Sequence, residues 1–308
     1  MLKSTRSGFG KALLALGETN PNVVAVSADL PSSTKLADFG KKYPCRFFEC
    51  GVAENNMMGV AAGLALEGKI PFVASFAAFS PSINWAVIRQ SVCLSNLAVK
   101  IASSHAGLLT GPDGATHQAL EDLALMQVLP NMTVVVPADY HQAYQATSQS
   151  INIKGPVYLR LTRPDTPELN DKKFQIGKAQ IVKPGKDITI ISCGPIIFEA
   201  LKAIEIFERE TKKTIELINC HTLKPLDEKT ILQSLAKTKK CLTLEDHEIF
   251  GGLGTTICNL TAEKYPVAVI KMGVADKFGE SARHESELLE KFGLDANSIV
   301  KKLKTFRL

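Results

Sequence analysis

The chain has 308 residues, is 45% hydrophobic and 22% charged, and carries a formal net charge of +5 at pH 7. That length holds two domains with proper cores, and the composition is that of a soluble globular protein, not a disordered one. The small positive excess lies in short clusters with no basic tail or stripe, which argues against nucleic acid and leaves an anionic metabolite as the class of partner the charge suits.

The N-terminus, MLKSTRSGFGKALLAL, has a short apolar run and no signal-peptide cleavage pattern, and no run approaches membrane-spanning length. The seven cysteines (Cys45, Cys50, Cys93, Cys193, Cys220, Cys241 and Cys258) form no C-x-x-C pair and sit mostly in apolar runs. Free thiols in a reducing compartment, hence a cytoplasmic protein, are the expectation.

After a helical SGFGKALLALGE, the first half sets strand-like runs (NVVAVSAD, CRFFEC, IPFVASF, LAVKIASS, MTVVVPAD and GPVYLRL) between helical ones. The helical ones are the small-residue stretch after Glu54, NWAVIRQSVCLS, HQALEDLALMQVL and HQAYQATSQSI. Runs apolar throughout that alternate with helices predict an α/β fold with a mainly parallel, doubly wound sheet covered on both faces. RPDTPELNDKKFQ breaks the rhythm with two prolines and mixed charge and reads as a linker. A second series follows: DITIISCG, a long helix through Glu199 and Phe207, TIELINC, a helix from Asp227 to Lys239, KKCLTLED, GGLGTTICNLTAEKY, PVAVIKMG and a polar C-terminal helix. The expected organisation is a first domain over 1–165, a linker over 166–180 and a smaller α/β domain over 181–308.

In such sheets ligands bind beyond the carboxyl ends of the strands, and useful side chains gather there. Asp29 ends the first strand, Glu54 follows the second, Phe79 the third, His105 the fourth and Arg163 the last. Glu54 is the lone acid in a small, apolar stretch that ends in Phe76 and Phe79. An isolated carboxylate before an aromatic surface suits a nitrogen heterocycle; plain core packing is the other reading. SHAGLLTGPDGATHQALED holds His105, Asp113 and His117 among three glycines. It suits proton transfer or a polyol; the two histidines lie twelve residues apart, which matches no common metal motif. There is no G-x-S-x-G elbow, G-x-G-x-x-G or P-loop. GGLG could cradle an anion or serve close helix–strand packing.

ECGVAENNMMGVAAGLALEGKIPFVASFAAF, the SHAGLLTGPDGATHQALED loop, LPNMTVVVPAD and LRLTRPDTPEL resemble the pyrimidine-binding domain of transketolases. HTLKPLD, LTLEDHEIFGGLG and FGESARHESELLEKFGLD resemble the transketolase C-terminal domain. The resemblance covers essentially the whole chain, while the GDG…N domain that binds diphosphate and metal in the family is not in this sequence.

The resemblance implies the C-terminal subunit of a split transketolase. Its cofactor would be thiamine diphosphate, with magnesium or another divalent cation held by an N-terminal partner subunit that carries GDG…N, and no metal ligated by this chain. It implies ketol transfer between sugar phosphates, and a homodimer core or a heterotetramer. Glu54 would bond the aminopyrimidine, Phe79 would stack on it with Phe76 and Trp85 completing the pocket, and Asp29 would lie near the thiazolium. His105, Asp113 and His117 would contact sugar hydroxyls, the two histidines moving protons. Arg6, Ser33 and Arg163 would clamp the sugar's phosphate. The chain departs from the family's GRxxDQ-like stretch: Ile83 stands where arginine is common, and Ala86 and Val87 where Asp and Gln are. A 1-deoxyxylulose-5-phosphate synthase fragment, a 2-oxo-acid dehydrogenase beta subunit and a non-catalytic partner-binding homologue are the alternatives.

Overall fold

The computed structural model describes residues 2–169 and 173–306; linker positions 170–172 lie outside the described residues. The first half runs β1 (Lys3–Ser4), α1 (Thr5–Thr19), β2 (Val23–Ser27), α2 (Ala37–Lys42), β3 (Phe47–Glu49), α3 (Glu54–Leu66) and β4 (Ile70–Phe76). It continues with α4 (Trp85–Val87), which passes into a π-helical turn over Ile88–Cys93, then β5 (Lys100–Ser104), α5 (Asp122–Gln127), β6 (Thr133–Val135), α6 (Tyr140–Ser150), β7 (Val157–Arg160) and β8 (Asp165–Thr166). The second half runs β9 (Gln180–Lys183), β10 (Ile188–Ser192), α7 (Ile197–Thr211), β11 (Ile215–Asn219), β12 (Thr222–Lys224) and α8 (Glu228–Thr238). It closes with β13 (Lys240–Glu248), α9 (Leu253–Lys264), β14 (Ala268–Val274), α10 (Glu285–Lys291) and α11 (Ala296–Leu303).

The first sheet has seven strands in the order β12-β6-β7-β5-β4-β2-β3, all parallel except β12. Every residue of β2, β5 and β7 is buried, as expected of strands with helices on both faces. From β2 the chain passes to β3 on one side and then to β4 on the other. That reversal opens a crevice at the carboxyl ends of β2 and β4, where doubly wound sheets bind ligands. The second sheet, β14-β13-β10-β11-β9, is parallel apart from its edge strand β9.

The two halves interlock. β12 leaves the second half to pair antiparallel with β6, and one apolar cluster holds Val134, Val136 and Tyr158 together with Ile191, Ile218 and Leu253. Burying side chains of that size stabilises by about 1.5–3 kcal/mol each.

Three local expectations change. The helix expected over 117–129 forms only at Asp122–Gln127, because Ala119 is drawn into a parallel bridge with Ala106 and its carbonyl accepts the Gly107 N–H at 2.9 Å. Strands reach into both ends of the linker expected over 166–180: Asp165–Thr166 pairs with Lys3–Ser4, and Gln180–Lys183 edges the second sheet. Helix α2 and strand β12 carry no clear period in the sequence; they are too short for one.

Candidate active site

At the carboxyl ends of β2 and β4 lies a cleft of about 250 Å³, lined by Ala28, Asp29, Leu30, Val52, Glu54, Phe79 and Ile83. Glu54 is the first residue of α3 and is 6% exposed. A carboxylate there faces the free N–H groups of the helix's first turn. Ser75 Oγ donates to its Oε1 at 3.2 Å, and the buried Asn84 side chain donates to its backbone carbonyl at 3.1 Å. Oε2 has no hydrogen-bond partner among the described residues. Glu54 is thus a fixed acceptor in a cleft whose other walls are mostly apolar.

Phe79 forms one wall, and Phe76 stacks on it with ring centroids 5.9 Å apart at 19°. Asp29 sits at φ 59°, held by its N–H donating to Glu49 Oε1 at 2.7 Å. Left-handed geometry is costly for a residue other than glycine and concentrates at functional sites. A buried acid with one unused oxygen, beside an aromatic face, fits a flat nitrogen heterocycle that donates from a ring edge.

Phe76 joins this cleft to a second region. Its ring lies 3.8 Å from that of His105 and 6.1 Å from that of His117, and Phe79 meets His117 edge-on at 5.3 Å. His105, 3% exposed, also adopts a left-handed conformation, φ 55°. Arg6 Nη1, which only donates, reaches His105 Nε2 at 3.4 Å, so the imidazole proton resides on Nδ1 and points to Ser104 Oγ at 2.8 Å. Burial, with the positive charges of Arg6 and Arg163, pushes the imidazole down to about 3. His105 is therefore a neutral hydrogen-bonding group at physiological pH.

Arg6 also donates to the Ser33 carbonyl at 3.0 Å, and Arg163 Nη1 reaches the Thr110 carbonyl at 3.2 Å and Asp113 Oδ1 at 3.3 Å. Burial and the neighbouring Arg163 lower the Arg6 guanidinium. His117 Nδ1 is 2.9 Å from Thr116 Oγ1. Arg6, Ser33, His105, Asp113, His117 and Arg163 thus form a polar, cationic rim next to the heterocycle cleft.

Trp85 stands at the start of α4. Its indole N–H donates to the Leu125 carbonyl at 2.9 Å, and its ring packs on the core. Ile83 lines the cleft and is 56% exposed; Ala86 is exposed and Val87 packs on the core.

What the sequence reading missed is the hold of the second half on the 105–118 loop. Asp246 on β13, 3% exposed, accepts the Leu108 N–H at 2.8 Å and the Leu109 N–H at 3.3 Å. Gly107, at φ 77°, lies so close that a Cβ there would meet Asp246 Oδ2 at 2.1 Å. Gln118 Nε2 bridges the carbonyls of Gly111 and Glu280 at 3.1 and 2.9 Å. Beneath, Arg160 pairs with Asp122 at 2.8 Å and donates to the Asp246 carbonyl at 2.9 Å, and Tyr158 donates to Asp122 at 2.6 Å. The available signal was three ionisable residues, Glu245, Asp246 and His247, inside a strand whose neighbours are apolar.

GGLG proves to be an anion cradle for the chain's own carboxylate. Glu245 accepts the Leu253 and Gly254 N–H groups at 2.7 and 2.8 Å, and a Cβ on Gly252 would meet its Oε2 at 2.0 Å. Burial raises the Glu245 carboxyl to about 7 against those bonds.

Among the described residues no helix is long and apolar enough to cross a membrane. Residues 2–168 match the family described as transketolase, pyrimidine binding domain, and residues 177–299 match the transketolase C-terminal domain. A Methanocaldococcus jannaschii protein provisionally named as a transketolase C-terminal section is 42% identical over 98% of this chain and 95% of its own length. Human transketolase is 35% identical over 96% of this chain, which spans 48% of that protein. A solved structure described as a split gene transketolase, inactive beta4 tetramer, superposes with a TM-score of 0.88 at 42% identity, covering 98% of this chain and 97% of that one.

Proposed function

The chain belongs to the transketolase family, and from that premise we propose that it is the C-terminal subunit of a split, thiamine-diphosphate-dependent transketolase. It would move a two-carbon ketol unit from a ketose phosphate to an aldose phosphate. The observation that carries this reading is the joining, through Phe76, of a mostly apolar cleft that holds the buried acid Glu54 to a cationic histidine rim. A heterocyclic cofactor and a polyhydroxylated anion need those two surfaces side by side.

Bound thiamine diphosphate supplies the carbon centre that carries the ketol unit. Glu54 would accept a hydrogen bond from its aminopyrimidine and Phe79 would present the stacking face, with Asp29 and Phe76 bordering them. Such a stack contributes about 0.5–1.5 kcal/mol beyond area burial. His105 would bond a sugar oxygen as a neutral partner, His117 would hold or pass a proton at the reacting carbonyl, and Asp113 would accept a hydroxyl. Arg6 and Arg163 would hold the phosphate, beside Ser33, as guanidinium forks suit its oxygens. The diphosphate and its magnesium would sit on an N-terminal partner subunit, and the active unit would be a heterotetramer or a homodimer core with partners.

Mixing the chain with a GDG…N partner, thiamine diphosphate and magnesium should produce ketol transfer that Glu54→Ala lowers by orders of magnitude. No turnover, with Glu54→Ala indistinguishable from wild type, sinks the enzyme reading in favour of a partner-binding homologue. Turnover on a 2-oxo acid but not on a ketose phosphate would move the chain to a related thiamine-diphosphate enzyme.

A further inference from the structure

Beside the Arg6–Arg163 rim stands a cation that the site as described does not use. Lys35, in the loop between β2 and α2, is exposed and sits at φ 67°. Its backbone rests on α1 one turn after Arg6: a Cβ on Gly10 would come within 2.6 Å of Lys35 Cβ and 2.8 Å of its carbonyl oxygen. Two costs, a left-handed non-glycine residue and a helix glycine, fix the backbone of Lys35 against α1, from which its side chain starts. Lys35 has no carboxylate within ion-pair distance among the described residues, whereas Arg163 has Asp113. Its charge reaches His105 together with those of Arg6 and Arg163. The buried Nε of Arg6 has no acceptor. The rim therefore holds a surplus of positive charge and an unused donor.

We infer that Lys35 is the third cation of the anion seat, a specificity-determining residue that favours a tetrahedral dianion, such as a phosphate monoester, over a monoanion or a neutral hydroxyl. The inference rests on the sugar-phosphate reading of the rim and adds a residue to it. A partly exposed third charge adds attraction in proportion to the ligand's own charge, so its removal costs a dianion more than a monoanion.

The test titrates the isolated chain at pH 8 with inorganic phosphate, and separately with methanesulfonate as the monoanion, following the His105 and His117 imidazole resonances. Lys35→Met and Lys35→Gly, the second of which keeps the left-handed geometry without strain, should weaken phosphate about five- to tenfold and methanesulfonate less than about twofold; Lys35→Arg should stay within about twofold of wild type. The inference is overturned if both charge-removing variants bind phosphate like wild type, if the two anions weaken equally, or if phosphate leaves the wild-type resonances unmoved. Ketol transfer in the partner mixture is scored independently. Its absence beside intact, Lys35-dependent phosphate binding would remove the transketolase reading and leave the anion seat.

Discussion

The two ends of the crevice are built in different ways. The cleft around Glu54 draws on β2, α3, β4 and the turns beside them, all from the first half of the chain, and its lining is apolar apart from Asp29 and Glu54. The rim around His105 holds Arg6 from α1 and Arg163 from beyond β7 beside two histidines and an aspartate on a glycine-broken loop, and the second half fixes that loop through Asp246 and the Glu280 carbonyl. A rigid ring asks for one acceptor and a flat wall, which adjacent elements supply. Several hydroxyls and an anion ask for a polar loop of exact shape, and such a loop needs backing from elsewhere. The second half therefore acts as the splint of the site while lending it no side chain of the proposed chemistry.

The largest expected effect breaks the comparison at the cleft. Glu54→Ala should lower the turnover of the assembled enzyme by about 10²–10⁴, the range for losing a group positioned to direct proton transfer. Its thermal midpoint should hold, because among the described residues its side chain receives a single 3.2 Å bond, from Ser75. Steady-state rates and a melting curve on the same preparation check both halves. A variant that unfolds would make Glu54 a structural acid.

The splint comes next. Asp246→Ala strips the acceptor from two buried N–H groups and removes a buried negative charge near Arg160, a change worth about 3–5 kcal/mol of stability by denaturant unfolding. Gly107→Ala acts on the same contact through the backbone, meeting Asp246 at φ 77°, and should cost about 1–3 kcal/mol. In the assembled enzyme it should raise KM for the sugar while cofactor affinity stays put. An equal loss of cofactor affinity would mean that the two ends are one cooperative unit.

The same division explains what could be read from the sequence. The strands of the first sheet, and the residues Asp29, Glu54, Phe79, His105 and Arg163 at their ends, follow from local hydrophobic runs and one topological rule. Phe76 could be read either as core or as contact, and it is a bridge: 8% exposed, yet in ring contact with Phe79, His105 and His117. Contacts between distant segments leave no period to read. Asp246 reaches Leu108 across 138 positions, Arg160 reaches the Asp246 carbonyl across 86, and β12 crosses to the first sheet. Trp85 gives another such contact: its indole N–H is committed to the Leu125 carbonyl, 40 positions away. Lys35 was hidden because its interest lies in a backbone angle and in a glycine on another helix.

The smallest expected effect sharpens the comparison through pH. Burial lowers His105 to about 3, and His221 and His247 to about 4. Each is neutral in the fold and takes a proton in the unfolded chain below about pH 6.5, so the unfolded state binds more protons and stability falls as pH drops from about 6.5 towards 4. Glu245, raised to about 7, works the other way, binding a proton in the fold that the unfolded carboxyl has released above its usual range. His105→Gln should thus flatten the stability-against-pH line by about 1.4 kcal/mol per pH unit, and Glu245→Gln should steepen it by a similar amount between about pH 5 and 6.5. Denaturant unfolding at half-unit pH steps reads both slopes. Because His105 titrates at the rim and Glu245 titrates beneath its splint, opposite slope changes would show that the rim and its backing oppose each other over the same acid range. An unchanged slope in His105→Gln would mean that the imidazole is solvated in the fold, and the rim would lose the neutral histidine on which its sugar-binding chemistry depends.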